Sequence, residues 1–449
     1  MKLILDQFIH KTNLIDKVLI SLIFFFPLLL SITIFFADLS ASLTSLIILL
    51  LLTQKKNVLI FSEIKKEILL FLIFYFLILI SLFFSTSFEE SFLPSFFYFR
   101  YFLFILGIFY LLKKYDFFKK ILLYSMSFTF IIVLSDSFYQ YFFLKNFFNY
   151  PSKPAAMPEG TMYILTSFFN DEKKLGSYLV RLLPLLISIL YYFNFKKLNY
   201  FYFALTGVII FFTSERTALF LFIVLSLFYF FIIKKKLYFF VVGLLILSSL
   251  FMFNQGFKYK YLDYTLMQIG FIKTYWNEDY QHKIRYYSKE HEDFSYTALK
   301  IFQNNFMTGS GIKTFYGACN NLKQKKTIQN KDNKNSNTEK KITRNNILQC
   351  STHPHNTYFQ ILSDTGLFTF IFVISFFIYT LKKNIKLILK KEINHIDLCF
   401  YFLNVGIILN LFPLIPSGNF FNNWLSLILF YPMGLWLYIN QKIKINESN

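Results

Sequence analysis

VLISLIFFFPLLLSITIFF, residues 18–36, is a run without a single charge. At about 1.5 Å per helical residue such a run crosses the roughly 30 Å hydrocarbon layer of a bilayer. Eleven more apolar stretches follow, at 39–53, 68–84, 96–112, 121–144, 175–193, 200–213, 217–233, 237–253, 357–381, 398–415 and 420–440. The pattern predicts an all-α, polytopic membrane protein with about twelve transmembrane helices. Composition agrees: of 449 residues, 55% are hydrophobic, 22% aromatic and only 16% charged, with mean hydropathy +0.48. Three cysteines exclude a disulfide-dense secreted scaffold, and the hydrophobic content excludes a disordered chain.

A net charge of +21 suits nucleic acid by composition alone. The placement of the charges decides otherwise. With both termini cytoplasmic, the inner segments hold 23 Lys and Arg and the short outer connections hold 5, the bias expected of a membrane topology. That bias accounts for clusters such as Lys234–Lys236, so the bilayer is the expected partner and nucleic acid is not. The first run has no small-x-small cleavage site before Asp38 and reads as a signal anchor.

Three regions follow: helices 1–9 in residues 1–253, a large outer loop at 254–356, and helices 10–12 in 357–449. The loop carries 16 Lys and Arg against 8 Asp and Glu. Within it, 294–306 spaces Phe294, Ala298, Ile301, Phe302 and Phe306 as an amphipathic helix, on the membrane or under the loop. Gly309-Ser310-Gly311 ends that helix, and the polar segment 321–348 reads as a mobile insertion.

The densest chemistry lies in CSTHPHNTYFQILSDTG, residues 350–366. Pro354 keeps His353 extended, and Asn356 is a good N-cap for a helix starting at Thr357. His355 therefore sits just before a helix N-terminus, where an imidazole can take a proton from a hydroxyl beside an anionic group. The bland alternative is a surface histidine. Cys350 and Cys319, with His353 and His355, have the donor types of a zinc site, but two cysteines bracketing an insertion on an oxidising face favour a disulfide. Arg181 lies two turns into the sixth apolar stretch, and Arg216 occupies the turn Thr213-Ser214-Glu215-Arg216. Ionisable groups at membrane depth are costly, so a guanidinium there either binds an anion or pairs with Glu172, Glu215 or Asp136. Asp136 and Gln140 share one helix face.

Four stretches carry a resemblance: SFFNDEKKLGSYLVRLLPLL (167–186), FFTSERTALF (211–220), HEDFSYTALKIFQNNFMTGSGIKTF (291–315) and CSTHPHNTYFQILSDTGLFTF (350–370), with DSFYQYFFLKN (136–146) weaker. Together they resemble the O-antigen ligase and O-antigen polymerase family of bacterial envelope glycan enzymes. The resemblance implies a GT-C-type glycosyltransferase of the inner membrane, with its active site on the periplasmic face under the large loop. The donor would be a glycan on undecaprenyl diphosphate, and the acceptor a sugar hydroxyl of lipid A–core or of another lipid-linked repeat unit. Neither cofactor nor metal is implied. By position His355 and Arg216 match the family's catalytic residues, with Arg181, Arg216 and Lys313 as diphosphate ligands. His353, Asn356, His291, Glu172 and Asp136 would support them. The chain departs from the family pattern at Asp364 (usually Glu), Ile312 (usually Pro) and Tyr316 (often Arg). A polysaccharide flippase is the alternative of a different class.

Overall fold

The computed structural model describes all residues except 1, 158–159, 233–254, 273–283, 286, 335–347 and 449. The chain is 77% helical with almost no sheet. Among the described residues, seven helices are long and apolar enough to cross a membrane, and the shorter Arg216–Ile232 and His395–Asn410 are apolar as well. Each expected apolar stretch coincides with helix except 237–253, which lies outside the described residues along with Lys234–Lys236.

Boundaries differ from the sequence reading where a polar side chain intervenes. The first two long helices, Leu14–Ile32 and Ile34–Leu52, part at Thr33 rather than at 37–38. Thr33 is extended, and its hydroxyl accepts the Phe35 N–H at 3.3 Å, capping the second helix. Asp38 is thereby drawn into that helix and pairs with Arg100 at 2.9 Å. Arg100 therefore holds a carboxylate rather than reaching out to a membrane surface. A second difference is a small antiparallel hairpin, Lys153–Met157 with Gly160–Ile164, inside the connection after Phe118–Phe143.

Helix Leu175–Tyr192 is the hub. Nearly all its residues are buried, and it packs against Phe118–Phe143, Lys196–Phe212, Arg216–Ile232 and His395–Asn410. Arg181, within this helix, is itself buried by the neighbouring helices and so faces protein and not lipid.

The large loop is pinned to this bundle at one junction. Helix Lys289–Asn304 starts on Ser288, whose hydroxyl accepts the His291 N–H, and buries Phe294, Ala298 and Ile301. Of the two placements open to the amphipathic segment, it takes the one under the loop, against helices Phe315–Lys334 and Thr357–Ile388. The chain then turns through Gly309 and Gly311, both at positive φ. Here Ser310 N–H donates to the Ser363 carbonyl at 2.8 Å and Gly311 N–H to that of Asp364 at 2.9 Å. Helix Thr357–Ile388 is itself broken at Gly366 (φ 77°, ψ −171°), leaving a short segment, 357–365, ahead of the longer one.

Cys319 and Cys350 are joined by a disulfide spanning 31 residues. In the chain-entropy view such a closure is worth about 3–4 kcal/mol against the unfolded state. It also removes both thiolates from the zinc alternative. Of the segment 321–348 expected to be a mobile insertion, the part through Lys334 is helical, and 335–347 lie outside the described residues. The physical reason is at its start: Phe315, Ala318 and Cys319 are buried, with Leu322 packed against them, so the polar remainder continues a helix already nucleated.

Candidate active site

Two of the quoted stretches, 167–186 and 211–220, form one structural unit. Glu215 is buried and its carboxylate accepts the N–H of Gly176 at 2.7 Å and of Ser177 at 3.0 Å, at the N-terminus of the hub helix. A Cβ on Gly176 would lie 2.7 Å from Thr213 Oγ1 and 2.9 Å from Ala218 Cβ, so only glycine permits this approach. Burial pushes Glu215 up to about 7, against the two N–H donors and the charges of Lys173 and Arg181. The carboxylate next to Arg216 in sequence is therefore occupied with backbone.

One turn further, Arg181 is 3% exposed. Its Nε donates to Ser177 Oγ at 3.2 Å and its Nη1 to Asn410 Oδ1 at 2.9 Å. No carboxylate stands within 4 Å of it among the described residues. It lines a narrow cleft, with room for about one water, together with Thr357, Asn410, Ser417, Phe420, Leu425 and Leu429. Ser417 connects that cleft to the histidine loop: its N–H donates to the His355 carbonyl at 2.9 Å, and its hydroxyl lies 3.0 Å from that of Thr357.

Three histidines meet here. The His355 ring lies 4.1 Å from that of His353, 5.8 Å from His291 and 5.1 Å from Phe294, centroid to centroid. His355 is held at φ 56°, a left-handed conformation uncommon outside glycine and costly enough to suggest a functional constraint. The next residue ends the strain: Asn356 caps the helix by accepting from Tyr358 and Phe359 N–H, while its amide donates to the Pro413 carbonyl at 2.9 Å. Burial pushes His355 down to about 4, with His353 and His291 adding to the shift. His353 and His291 are lowered chiefly by burial too. At neutral pH the cluster is uncharged and can accept protons.

Arg216 opens helix Arg216–Ile232. Its guanidinium lies over the Tyr264 ring at 4.9 Å and donates to Thr265 Oγ1 at 3.3 Å, again with no carboxylate in ion-pair range among the described residues. Its charge reaches His291, where it opposes protonation. His355 thus adjoins His291, on which the Arg216 charge acts, and Arg181 shares the Ser417-lined cleft on the other side of the His355 loop.

The remaining sequence candidates lie elsewhere or are already engaged. Asp136 accepts the Phe147 N–H at 2.7 Å, and Gln140 accepts the N–H of Thr166 and Ser167 at 2.9 and 2.7 Å, so this pair holds a connecting segment in place. Glu172 is exposed and pairs with Lys174. Lys313 is lowered by burial and feels Arg100 and Asp38. Sequence reasoning missed Tyr264, Thr265, Asn410 and Ser417, polar or aromatic residues in stretches with no motif of their own.

Residues 201–374 match the family model described as O-antigen ligase. The chain carries an O-antigen ligase domain. The matched segment contains Arg216, His291, Lys313, His353, His355 and Asn356, whereas Arg181, Asp136 and Glu172 precede it. No curated protein matches the chain. The match over 201–374, together with the long apolar helices, supports a multi-pass membrane enzyme of the ligase and polymerase type.

Proposed function

We propose that the protein transfers a glycan from undecaprenyl diphosphate to a sugar hydroxyl at the periplasmic face of the inner membrane, through a twelve-helix, GT-C-like body with both termini cytoplasmic. The supporting observation is a neutral, half-buried His355 packed against His291, a ring on which the charge of Arg216 acts, with no carboxylate in ion-pair range of that guanidinium among the described residues. The diphosphate lies against Arg216, with Arg181 behind it. His355 takes the acceptor hydroxyl's proton as the oxygen bonds to the anomeric carbon. The bond from that carbon to the phosphate oxygen breaks, and the departing diphosphate keeps the electron pair. Guanidinium groups offset the charge growing on it. No step needs a nucleotide sugar or a metal. His353, His291 and Asn356 hold His355, and Lys313, which faces Arg100 and Asp38, takes no part in this step.

The acceptor we favour is lipid A–core, which makes the protein a ligase; polymerisation onto a lipid-linked repeat is the second reading. A gene-deletion strain separates them. Loss of all long chains with accumulated lipid-linked polymer fits a ligase, and a single capped repeat fits a polymerase. Transfer by purified protein in detergent, without a transmembrane gradient, excludes the flippase reading.

The pH dependence follows from His355. Its folded value of about 4 lies below the ordinary imidazole value, so the proton-accepting form persists as pH falls from 7 to about 5. Transfer at limiting donor is expected to hold through that range and drop roughly tenfold per unit below about 4. Glu215, at about 7, titrates inside that window on backbone N–H groups away from the acceptor, so Glu215→Gln is expected to keep the same plateau. An acid limb near 6.5 in both proteins would refute a buried His355.

A further inference from the structure

A second cation faces Arg216. The π-helical turn Tyr259–Asp263 carries Lys260 and leads into the short helix Tyr264–Gln268. Such turns are rare and concentrate at functional sites, because each inserts a residue that re-aims its neighbours. Lys260 Nζ lies 4.9 Å from the Tyr264 ring centroid, and Arg216 Cζ lies 4.9 Å from the same centroid. One aromatic ring thus holds two positive groups, neither with a carboxylate in ion-pair range among the described residues.

We infer that Lys260, presented by the π turn and sharing the Tyr264 ring with Arg216, is a diphosphate-binding residue, and that Tyr264 spaces the two cations for the two phosphates. This inference rests on the diphosphate reading above. Two half-buried like charges repel, and a π face compensates each only in part. Burial lowers Lys260, and Lys173 and Arg216 add to the shift. Lys173 is lowered by burial and by Lys153 and Arg216, with Glu215 opposing. Glu215, held on the N–H groups of Gly176 and Ser177, acts on Lys173 but not on Lys260 or Arg216, so it does not neutralise that pair. An anion does. A lipid diphosphate bonded to a sugar carries one charge on each phosphate, matching Arg216 and Lys260. Cleavage of the sugar bond adds negative charge to the outer phosphate. A monophosphate would satisfy only one of the paired cations.

The test uses the full-length protein in detergent, with farnesyl diphosphate and farnesyl monophosphate as soluble probes and titration calorimetry as the readout. Lys260→Ala is expected to weaken diphosphate binding about 10- to 100-fold and monophosphate binding about threefold or less. Lys260→Arg should restore most of the diphosphate affinity. Thermal unfolding of ligand-free Lys260→Ala should be unchanged or raised, because the variant relieves repulsion. A lowered unfolding temperature without rescue by arginine would show a structural lysine and overturn the inference. Unchanged diphosphate affinity in Lys260→Ala, with the affinity lost in Arg216→Ala, would remove Lys260 from the site and leave the diphosphate reading standing. Unchanged affinity in both variants would remove both.

Discussion

Arg216→Ala is expected to reduce glycan transfer by roughly 10²–10³-fold, the loss seen when one preorganised group facing developing negative charge is deleted, while the protein still reaches the membrane at normal levels. Two features of its surroundings separate catalysis from folding here. Arg216 neutralises no carboxylate among the described residues, so its removal leaves no buried anion behind. Among the described residues its one side-chain hydrogen bond goes to the hydroxyl of Thr265, which accepts it and can turn to another donor. Breaking a buried ion pair, by contrast, costs about 3–5 kcal/mol and shows as lost protein. Arg216→Lys keeps the charge and loses the planar fork, so an intermediate loss of about tenfold is expected. Transfer is measured with lipid-linked glycan in detergent, normalised to protein by immunoblot, alongside thermal unfolding. Full transfer in Arg216→Ala would end the diphosphate role. Loss of folded protein in step with activity would make the arginine structural.

The spans were legible because bilayer insertion depends on local composition, which a sequence carries in full. Asn356 was legible for a similar reason, since an N-cap is settled by the residue and the few amides after it. What was not legible depended on contacts across the chain. The break at Thr33 required knowing that Asp38 finds Arg100, sixty-two residues later. The helix continuing through Lys334 required the disulfide and the buried face of Phe315 and Ala318. Within the site, His355 and the two arginines stood out as charged or titratable groups in apolar or motif-bearing stretches. Lys260 and Tyr264 did not, because a lysine in a basic loop and a tyrosine in an aromatic-rich chain are unremarked until a π turn sets both against Arg216.

Gly366→Ala is expected to be the most damaging single-methyl change at the loop junction. Its backbone (φ 77°, ψ −171°) lies in a region essentially reserved for glycine. A Cβ there would stand 2.2 Å from the Met307 carbonyl oxygen and 2.7 Å from Thr308 N, and neither backbone atom can swing aside as a side chain can. The opposite wall is equally fixed: a Cβ on Gly309 would meet Asp364 C and Thr365 N, both at 2.3 Å. The two strands of chain therefore touch backbone to backbone, and the Leu367 N–H bond to the Phe306 carbonyl at 3.1 Å closes the contact. Strain of about 1–3 kcal/mol from the backbone, plus the clash, places the cost at roughly 4 kcal/mol or more. His355 lies eleven residues before this break on the same segment, so transfer should fall with stability. Gly317→Ala is the control. A Cβ there meets nothing within 4 Å, and the residue lies in helix Phe315–Lys334, so alanine should be neutral or stabilise by up to about 1 kcal/mol. Thermal unfolding in detergent and transfer are compared for both variants. If Gly366→Ala melts and transfers like the parent, the loop is not seated by backbone contact at this junction, and the placement of His355 needs another support.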